Sequence, residues 1–234
     1  MDAVRINKYL RESGVLSRRK ADKAIEEGRV MIDGETAVLG STVEPGSVVT
    51  FDGNVIGEKQ ATVIFAYNKP LGQVCTSFEA DKKSIFRFVD FPVKVNYVGR
   101  LDKDSQGLLL LTNDGELSNA IQKARNHHEK EYVVRVDKPI TEDFLKGMRE
   151  GVPILDTVTR PCIVRRHGQN SFNIIITQGL NRQIRRMCEY FGYRVVFLKR
   201  IRVMNIGLGE LAPGEYRELT PEEERILRRD CYND

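Results

Sequence analysis

Three groups of residues have types and spacings that suit chemistry. The first is Asp102 in the stretch VGRLDKDSQGLLLLTND, between a Gly-Arg pair and a run of leucines. A buried strand following a turn can hold a carboxylate rigidly while leaving it accessible, and such a carboxylate can serve as a nucleophile or a base. Taken alone, an aspartate in a loop is more often a turn former. The second is the basic stretch QGLNRQIRRMCEYFGYRV. There Ile184, Met187, Cys188 and Phe191 recur at i, i+3, i+4, i+7, the stripe of a core-facing helix. At about 100° per residue, Arg185 lies nearer that stripe than Arg182 or Arg186. Arg185 is thus expected to reach inward, and Arg182 and Arg186 to face solvent or a polyanion. The third is Tyr132 in HEKEY, which by itself is an ordinary strand aromatic.

The elements that must position these residues can be read from periodicity. VIFAYNKP is an apolar strand stopped by Pro70, GLLLLT is a second, and EYVVRV and FNIIIT alternate as strands do. Asn113-Asp114-Gly115 marks a turn before a helix near Glu116–Lys123. TEDFLKGMREG is a helix capped by Thr141 and ended by Gly151, and TPEEERILRR is a surface helix behind a threonine cap. The first fifty residues form a separate small α+β pattern. Ile6, Tyr9 and Leu10 share a helical face that Gly14 can close in a left-handed cap. Ser17 can cap a second helix striped by Ala21, Ala24 and Ile25, and Gly28 closes it. Asp33-Gly34 is a hairpin turn between strands. The polar run Gly57-Glu58-Lys59-Gln60 suits a linker. The reading is α+β: a small module over 1–57, a linker over 58–62, and a larger domain over 63–234 with a largely antiparallel mixed sheet.

Composition narrows the partners. No apolar stretch approaches the ~20 residues that cross a bilayer, and the start has charges where a signal peptide has an apolar segment. No membrane partner is expected. The cysteines (Cys75, Cys162, Cys188, Cys231) lack paired spacing and read as reduced thiols of a cytoplasmic protein. The formal net charge is +4, but residues 1–30 hold eight Lys/Arg against five Asp/Glu. Residues 181–202 hold seven Lys/Arg against Glu189 alone. Two basic clusters on an acidic remainder suit a polyanion gripped at two places. On charge alone, a pair of solvated helix faces explains them as well. Arg18, Arg19 and Lys20 oppose the dipole of the helix they begin, and together with free amides they suit a phosphate backbone. His127-His128-Glu129 suggests a metal at first sight, but adjacent strand residues point to opposite faces and no other His/Cys cluster completes a shell. No metal and no cofactor is expected.

The pattern R-I-N-K-Y-L…G…S-R-R-K-A…I-x-x-G-R-V-x-I-D-G…V-x-P-G-x-x-V resembles the S4 RNA-binding family. That resemblance implies structured RNA as partner, with Arg5, Lys8, Arg18, Arg19 and Lys20 as contacts, and no particular reaction. Gly99, Arg100, Leu101, Asp102, Ser105, Gly107, Leu108 and Thr112–Gly115 resemble the active-site motif of the RsuA/RluF-type RNA pseudouridine synthases. HEKEY and Q-I-R-R-M follow in the order that family requires, and the strings HEKEY and GLNRQIRRMCEYFGY are closest to its RluF branch, which modifies 23S ribosomal RNA.

The resemblance implies isomerisation of uridine to pseudouridine, with Asp102 catalytic and Arg185 paired to it. Tyr132 would stack on the target base, Leu198 would line the uracil pocket and Arg100 would fill the vacated stack. Asn181, Arg182 and Arg186 would contact substrate. Asp104 is set aside as structural. Ribosomal RNA, 23S above all, is the expected partner, tRNA is the alternative, and a monomer is expected. The competing readings are a non-catalytic rRNA-binding assembly factor, which leaves Asp102, Tyr132 and Arg185 unexplained, and a hydrolytic RNA glycosidase. An S4-bearing tRNA synthetase is weaker, because neither nucleotide signature of those enzymes is found.

Overall fold

The computed structural model describes residues 3–16, 18–57, 61–78, 81–123 and 127–232, with Arg18 described by its backbone alone. The expected Ser17 cap and most of the expected linker lie outside the described residues. The chain divides into two compact units, one of residues 1–63 with 92–94, the other of 64–91 with 95–234.

The first unit contains β1 (Val4–Arg5), α1 (Ile6–Glu12), α2 (Arg18–Glu26), β2 (Val30–Ile32), β3 (Glu35–Thr36), β4 (Thr42–Val43), β5 (Val49–Phe51) and β6 (Asn54–Val55). Its core is built from the stripes read in the sequence: Ile6 and Leu10 of α1 and Ala21, Ala24 and Ile25 of α2 are buried with Val30, Val43 and Val49. Asp33 and Gly34 both have positive φ (51° and 86°), as a tight two-residue hairpin requires.

The second unit contains β7 (Ile64–Lys69), β8 (Asn96–Val98), β9 (Gln106–Thr112), α3 (Gly115–Gln122), β10 (Lys130–Val136), α4 (Glu142–Glu150), β11 (Pro153–Ile154), β12 (Thr157–Val158), β13 (Ile163–Arg166), β14 (Ser171–Ile176), α5 (Gln183–Tyr190), β15 (Val195–Val203), β16 (Ile206–Gly207), β17 (Tyr216–Glu218) and α6 (Pro221–Tyr232). Its main sheet runs β13-β14-β10-β15-β9-β7-β17. Every pairing along it is antiparallel except β15 with β9. The mixed, largely antiparallel sheet agrees with the sequence reading.

That parallel pair depends on Gly107. It faces Arg200 in register at φ +103°, and a Cβ there would overlap the Arg200 carbonyl oxygen. Only glycine lets the two backbones come this close.

Helices cover the sheet in two places. Leu117, Ala120 and Ile121 of α3 pack with Leu227 and Cys231 of α6 against Leu108, Leu110 and Val203. The last helix lies at the surface, as read, with its i, i+4 pair Leu227 and Cys231 buried beneath it. The threonine cap is present: Thr220 Oγ1 accepts from the Glu223 amide, and Glu223 accepts from the Thr220 amide, a reciprocal capping box. The turn before α3 is also its cap, since Asp114 accepts from the Glu116 and Leu117 amides at 3.0 Å each. On α4, Phe144 packs against Phe172 and Tyr193, with ring centroids 5.5 and 4.3 Å away. Among the described residues, no helix is long and apolar enough to cross a membrane.

Candidate active site

The residues expected to do chemistry are brought together in the second unit, on the loop of residues 99–105 and around it. This loop joins β8 to β9, and four of its successive carbonyl oxygens are occupied. Asp102 O accepts from the Ser105 amide at 3.1 Å and Lys103 O from the Gly72 amide at 2.8 Å. Asp104 O accepts from Arg185 Nη2 at 2.6 Å, and Ser105 O from Lys69 Nζ at 2.8 Å. Two charged donors and two amides thus fix the backbone that carries Asp102, and charge-assisted bonds are the stronger kind. Lys69 is fully buried at the end of β7. Burial pushes its ammonium pKa below the ordinary value, opposed by the charges of Cys75, Asp102 and Asp104.

Asp102 itself is half-buried and lines a cavity of about 430 Å³. The cavity floor is sheet: Tyr132 of β10 and Leu198 of β15 are both less than a tenth exposed. Its rim is loop, with Arg100, Asn181 and Arg182 exposed. Six of the residues expected at the site therefore share one cavity: Arg100, Asp102, Tyr132, Asn181, Arg182 and Leu198. Arg185 and Arg186 do not line it.

Arg185 reaches inward, as its angle on the helix requires, and is 7% exposed. Its ionic partner, however, is Asp104, with Nε 3.3 Å from Oδ2. Among the described residues, no ion pair reaches Asp102. The expected Arg185–Asp102 pair is therefore corrected to Arg185–Asp104, and the physical reason is the loop. The i to i+3 turn from Asp102 to Ser105 turns the second carboxylate, and not the first, towards α5.

Arg182 joins from the other side, giving Asp104 a two-pronged pair at 3.2 Å on each oxygen. Partial burial works to raise the Asp104 pKa, but Arg182 and Arg185 outweigh it and hold the carboxyl below its ordinary range. Arg182 occupies left-handed backbone at φ +50°, a conformation that costs a non-glycine residue energy. Arg186 folds back on its own turn, donating to Asn181 O and Oδ1 at 3.1 and 3.3 Å.

Two cations on the cavity wall were not singled out in the sequence, Lys130 and Arg200. Lys130 shares the parity of Tyr132 along β10, so their common face was legible once Tyr132 was chosen. Arg200 sits directly across from Tyr132 in the β10–β15 register, which no single strand reveals.

In the first unit, Arg5, Arg19 and Lys20 are exposed and Lys8 is half-buried beside Glu12, at 3.9 Å. The Arg18 side chain lies outside the described residues. His127 is exposed and His128 buried. Among the described residues, no group of three or more His, Cys, Asp or Glu side chains is arranged to hold a metal ion.

Comparison with known proteins agrees with these observations. Residues 63–190 match the family model described as RNA pseudouridylate synthase, and residues 4–49 match that of the S4 domain. The chain is 52% identical over 223 residues to the dual-specificity RNA pseudouridine synthase RluF of Escherichia coli K12, covering 94% of this chain and 77% of that protein. It is 34% identical to the ribosomal small subunit pseudouridine synthase A of the same organism, covering 94% and 98%. A crystal structure of a pseudouridylate synthase superposes with a TM-score of 0.70 at 32% identity, covering 96% of this chain and 99% of that one.

Proposed function

The chain belongs to the RNA pseudouridine synthase family, and from that membership we propose a substrate and a role for each residue of the site. As an RNA pseudouridine synthase it isomerises uridine to pseudouridine. The substrate we assign is a uridine in a folded region of 23S ribosomal RNA. We place RNA binding in residues 1–57, a linker in 58–62 and catalysis in 63–234. The protein is assigned as a cytoplasmic monomer.

The glycosidic bond of a stacked uridine is hidden, so the nucleotide has to be flipped out of the helix. Arg100, exposed at the rim beside Asp102, fills the vacated stack. The base enters between Tyr132 and Leu198, and Asp102 acts at the sugar as nucleophile or base. Asn181, Arg182 and Arg186 hold the RNA around the flipped nucleotide. Arg185 positions the loop through Asp104. Arg5, Lys8, Arg18, Arg19 and Lys20 meet phosphates, which fix register without reading sequence.

One observation carries this reading: Asp102 is the one carboxylate among the described residues lining the cavity. A hydrolytic glycosidase usually sets two carboxyls across the scissile bond, one of them protonated. The neighbouring carboxylate, Asp104, is held ionised by two arginines and cannot play that part. Isomerisation needs no activated water, so one carboxylate suffices.

The relative's name speaks of dual specificity without naming the RNAs, and tRNA, the alternative weighed from the sequence, is the second substrate to test. Carbodiimide mapping of 23S, 16S and tRNA transcripts treated with the purified protein decides among them. The expected result is new pseudouridine in 23S RNA. Modification confined to 16S RNA, or to tRNA, overturns the substrate and leaves the chemistry standing.

A further inference from the structure

Around the one carboxylate of the cavity stand four cations: Arg100, Lys130, Arg182 and Arg200. Two belong to the exposed rim, and Arg182 is already neutralised by Asp104. The other two come from the floor, on the same strands that supply Tyr132 and Leu198.

Arg200 is 3% exposed. Its Nε donates to Leu108 O at 2.7 Å, while its buried Nη2 has no hydrogen-bond partner. Among the described residues, no carboxylate forms an ion pair with it. Lys130 Nζ donates to His128 O at 3.2 Å. Burial, joined by the Arg200 charge, lowers the Lys130 pKa to about 8. A buried arginine beside a half-buried lysine, with no carboxylate paired to the arginine, is costly, and an anion entering from outside would relieve that cost. An RNA phosphate stays with the backbone at the rim, whereas the flipped base reaches the floor.

The reaction assigned above makes such an anion. With Asp102 as the nucleophile, the C1′–N1 bond breaks as the carboxylate bonds to C1′, the electron pair leaves on N1, and the free uracil carries a negative charge shared with its carbonyl oxygens. After the ring turns, C5 supplies an electron pair to C1′ and the Asp102 carboxylate leaves with its own pair, after which the C5 proton departs and N1 takes up a proton. The ring is neutral again and no co-reactant is consumed.

We propose that Lys130 and Arg200 are catalytic residues that bind the detached uracil through its carbonyl oxygens and balance its charge while it turns. They act as a preorganised oxyanion site, used when the charge develops and not before. This rests on Asp102 cleaving the glycosidic bond.

The test compares leaving groups. Single-turnover rates of C1′–N1 cleavage, read as loss of the N1-linked nucleoside because 5-fluorouridine has no C5 proton to lose, are measured with the whole protein on one RNA carrying either uridine or 5-fluorouridine, whose fluorine stabilises the ring anion. Lys130→Met should bind RNA as the wild type does and lose about 10²-fold in rate on uridine, in line with removal of one oxyanion donor. On 5-fluorouridine the loss should be several-fold smaller, and Lys130→Arg should restore most of the rate. Equal losses on both substrates, or weaker RNA binding with an unchanged rate at saturating protein, overturn the proposal.

If Lys130→Met does not fold, the pH profile decides. The groups facing Lys130 are His128, Tyr132 and Arg200. The wild-type rate should fall as pH rises through about 8, and Lys130→Arg should hold its rate further into alkali. Identical profiles overturn the proposal. A wild type that forms no pseudouridine on any RNA overturns the assigned reaction itself.

Discussion

Both units carry exposed ion pairs, but among the described residues the buried cations belong to the second. In the first, cations are on or near the surface, and water reaches the ion pairs of Lys8 with Glu12, Lys23 with Glu27, and Arg29 with Asp52. Such pairs contribute little to stability, which leaves the side chains available to a polyanion. In the second, Lys69, Arg185 and Arg200 are buried and donate to backbone carbonyls of residues 104, 105 and 108. An exposed cation can leave its partner for a phosphate, whereas a buried one has to be satisfied in place and so fixes what it touches. The first unit is therefore suited to binding RNA, and the second to holding a carboxylate still.

The sharpest way to break this contrast is at Asp102. Asp102→Asn should reduce pseudouridine formation below detection while RNA affinity stays within about twofold, since no second carboxylate among the described residues lines the cavity. Turnover equal to that of the wild type on the same RNA would remove the mechanism.

Next comes the pair that fixes the loop. Arg185→Met should cut turnover by about 10²-fold with little change in affinity, the scale expected when a reacting group is misplaced by about 1 Å. Asp104→Asn should reproduce much of that loss, because Arg185 acts through Asp104 and the Asp104 carbonyl. If Asp104→Asn were fully active while Arg185→Met were not, Arg185 would have to act on Asp102 directly in the RNA complex. A main effect on binding would place Arg185 among the phosphate contacts instead.

Much of this arrangement was legible before the structure. Helix stripes, the Thr141 and Thr220 caps and the Asp33-Gly34 hairpin follow local rules, and those elements are present. Asp102, Tyr132 and Leu198 were named from motifs, and they share a cavity. What the sequence did not show was set by pairing between distant segments. Arg200 alternates with Leu198 along β15 at even spacing, so both lie on one face. Only the register with Tyr132, and the close approach at Gly107, make that face a cavity floor. The choice of Asp104 over Asp102 as partner of Arg185 likewise depends on a loop turn. The stretch TPEEERILRR ends before Cys231, and the helix continues to Tyr232, so the apolar i, i+4 pair of Leu227 and Cys231 that seats its edge is complete only beyond that stretch.

A smaller effect is expected in the first unit. Replacing Arg5, Lys8, Arg19 and Lys20 by alanine should lower RNA affinity and flatten its dependence on salt, by a little under one slope unit for each phosphate no longer neutralised. Catalysis at saturating RNA should be unchanged. A salt slope equal to that of the wild type would make these residues a solvated face and leave RNA binding to the second unit.

The smallest effect compares one carboxylate from each unit. Asp33 accepts from the Val48 amide at 2.7 Å on the fully exposed hairpin, and this bond, with the Ser47 hydroxyl, lowers its pKa. Asp114 is partly buried, which works to raise its pKa. The Leu117 amide and Arg228, at 2.9 Å, outweigh that, and its pKa too is lowered. A carboxyl held below its unfolded value of about 3.9 stabilises the fold above that pH. That contribution is lost as the pH falls through the folded value. Both aspartates should therefore show acid-dependent stability, but in water the exposed hydrogen bonds of Asp33 are largely replaceable, whereas those of Asp114 are less so. Asp114→Ala should cost about 1–2 kcal/mol in denaturant unfolding at neutral pH, as loss of an N-cap does. Asp114→Asn should keep part of the cap and lose the acid dependence. Asp33→Asn should change stability less than either. If Asp33→Asn proved as costly as Asp114→Ala, exposure would not be what separates the charges of the two units.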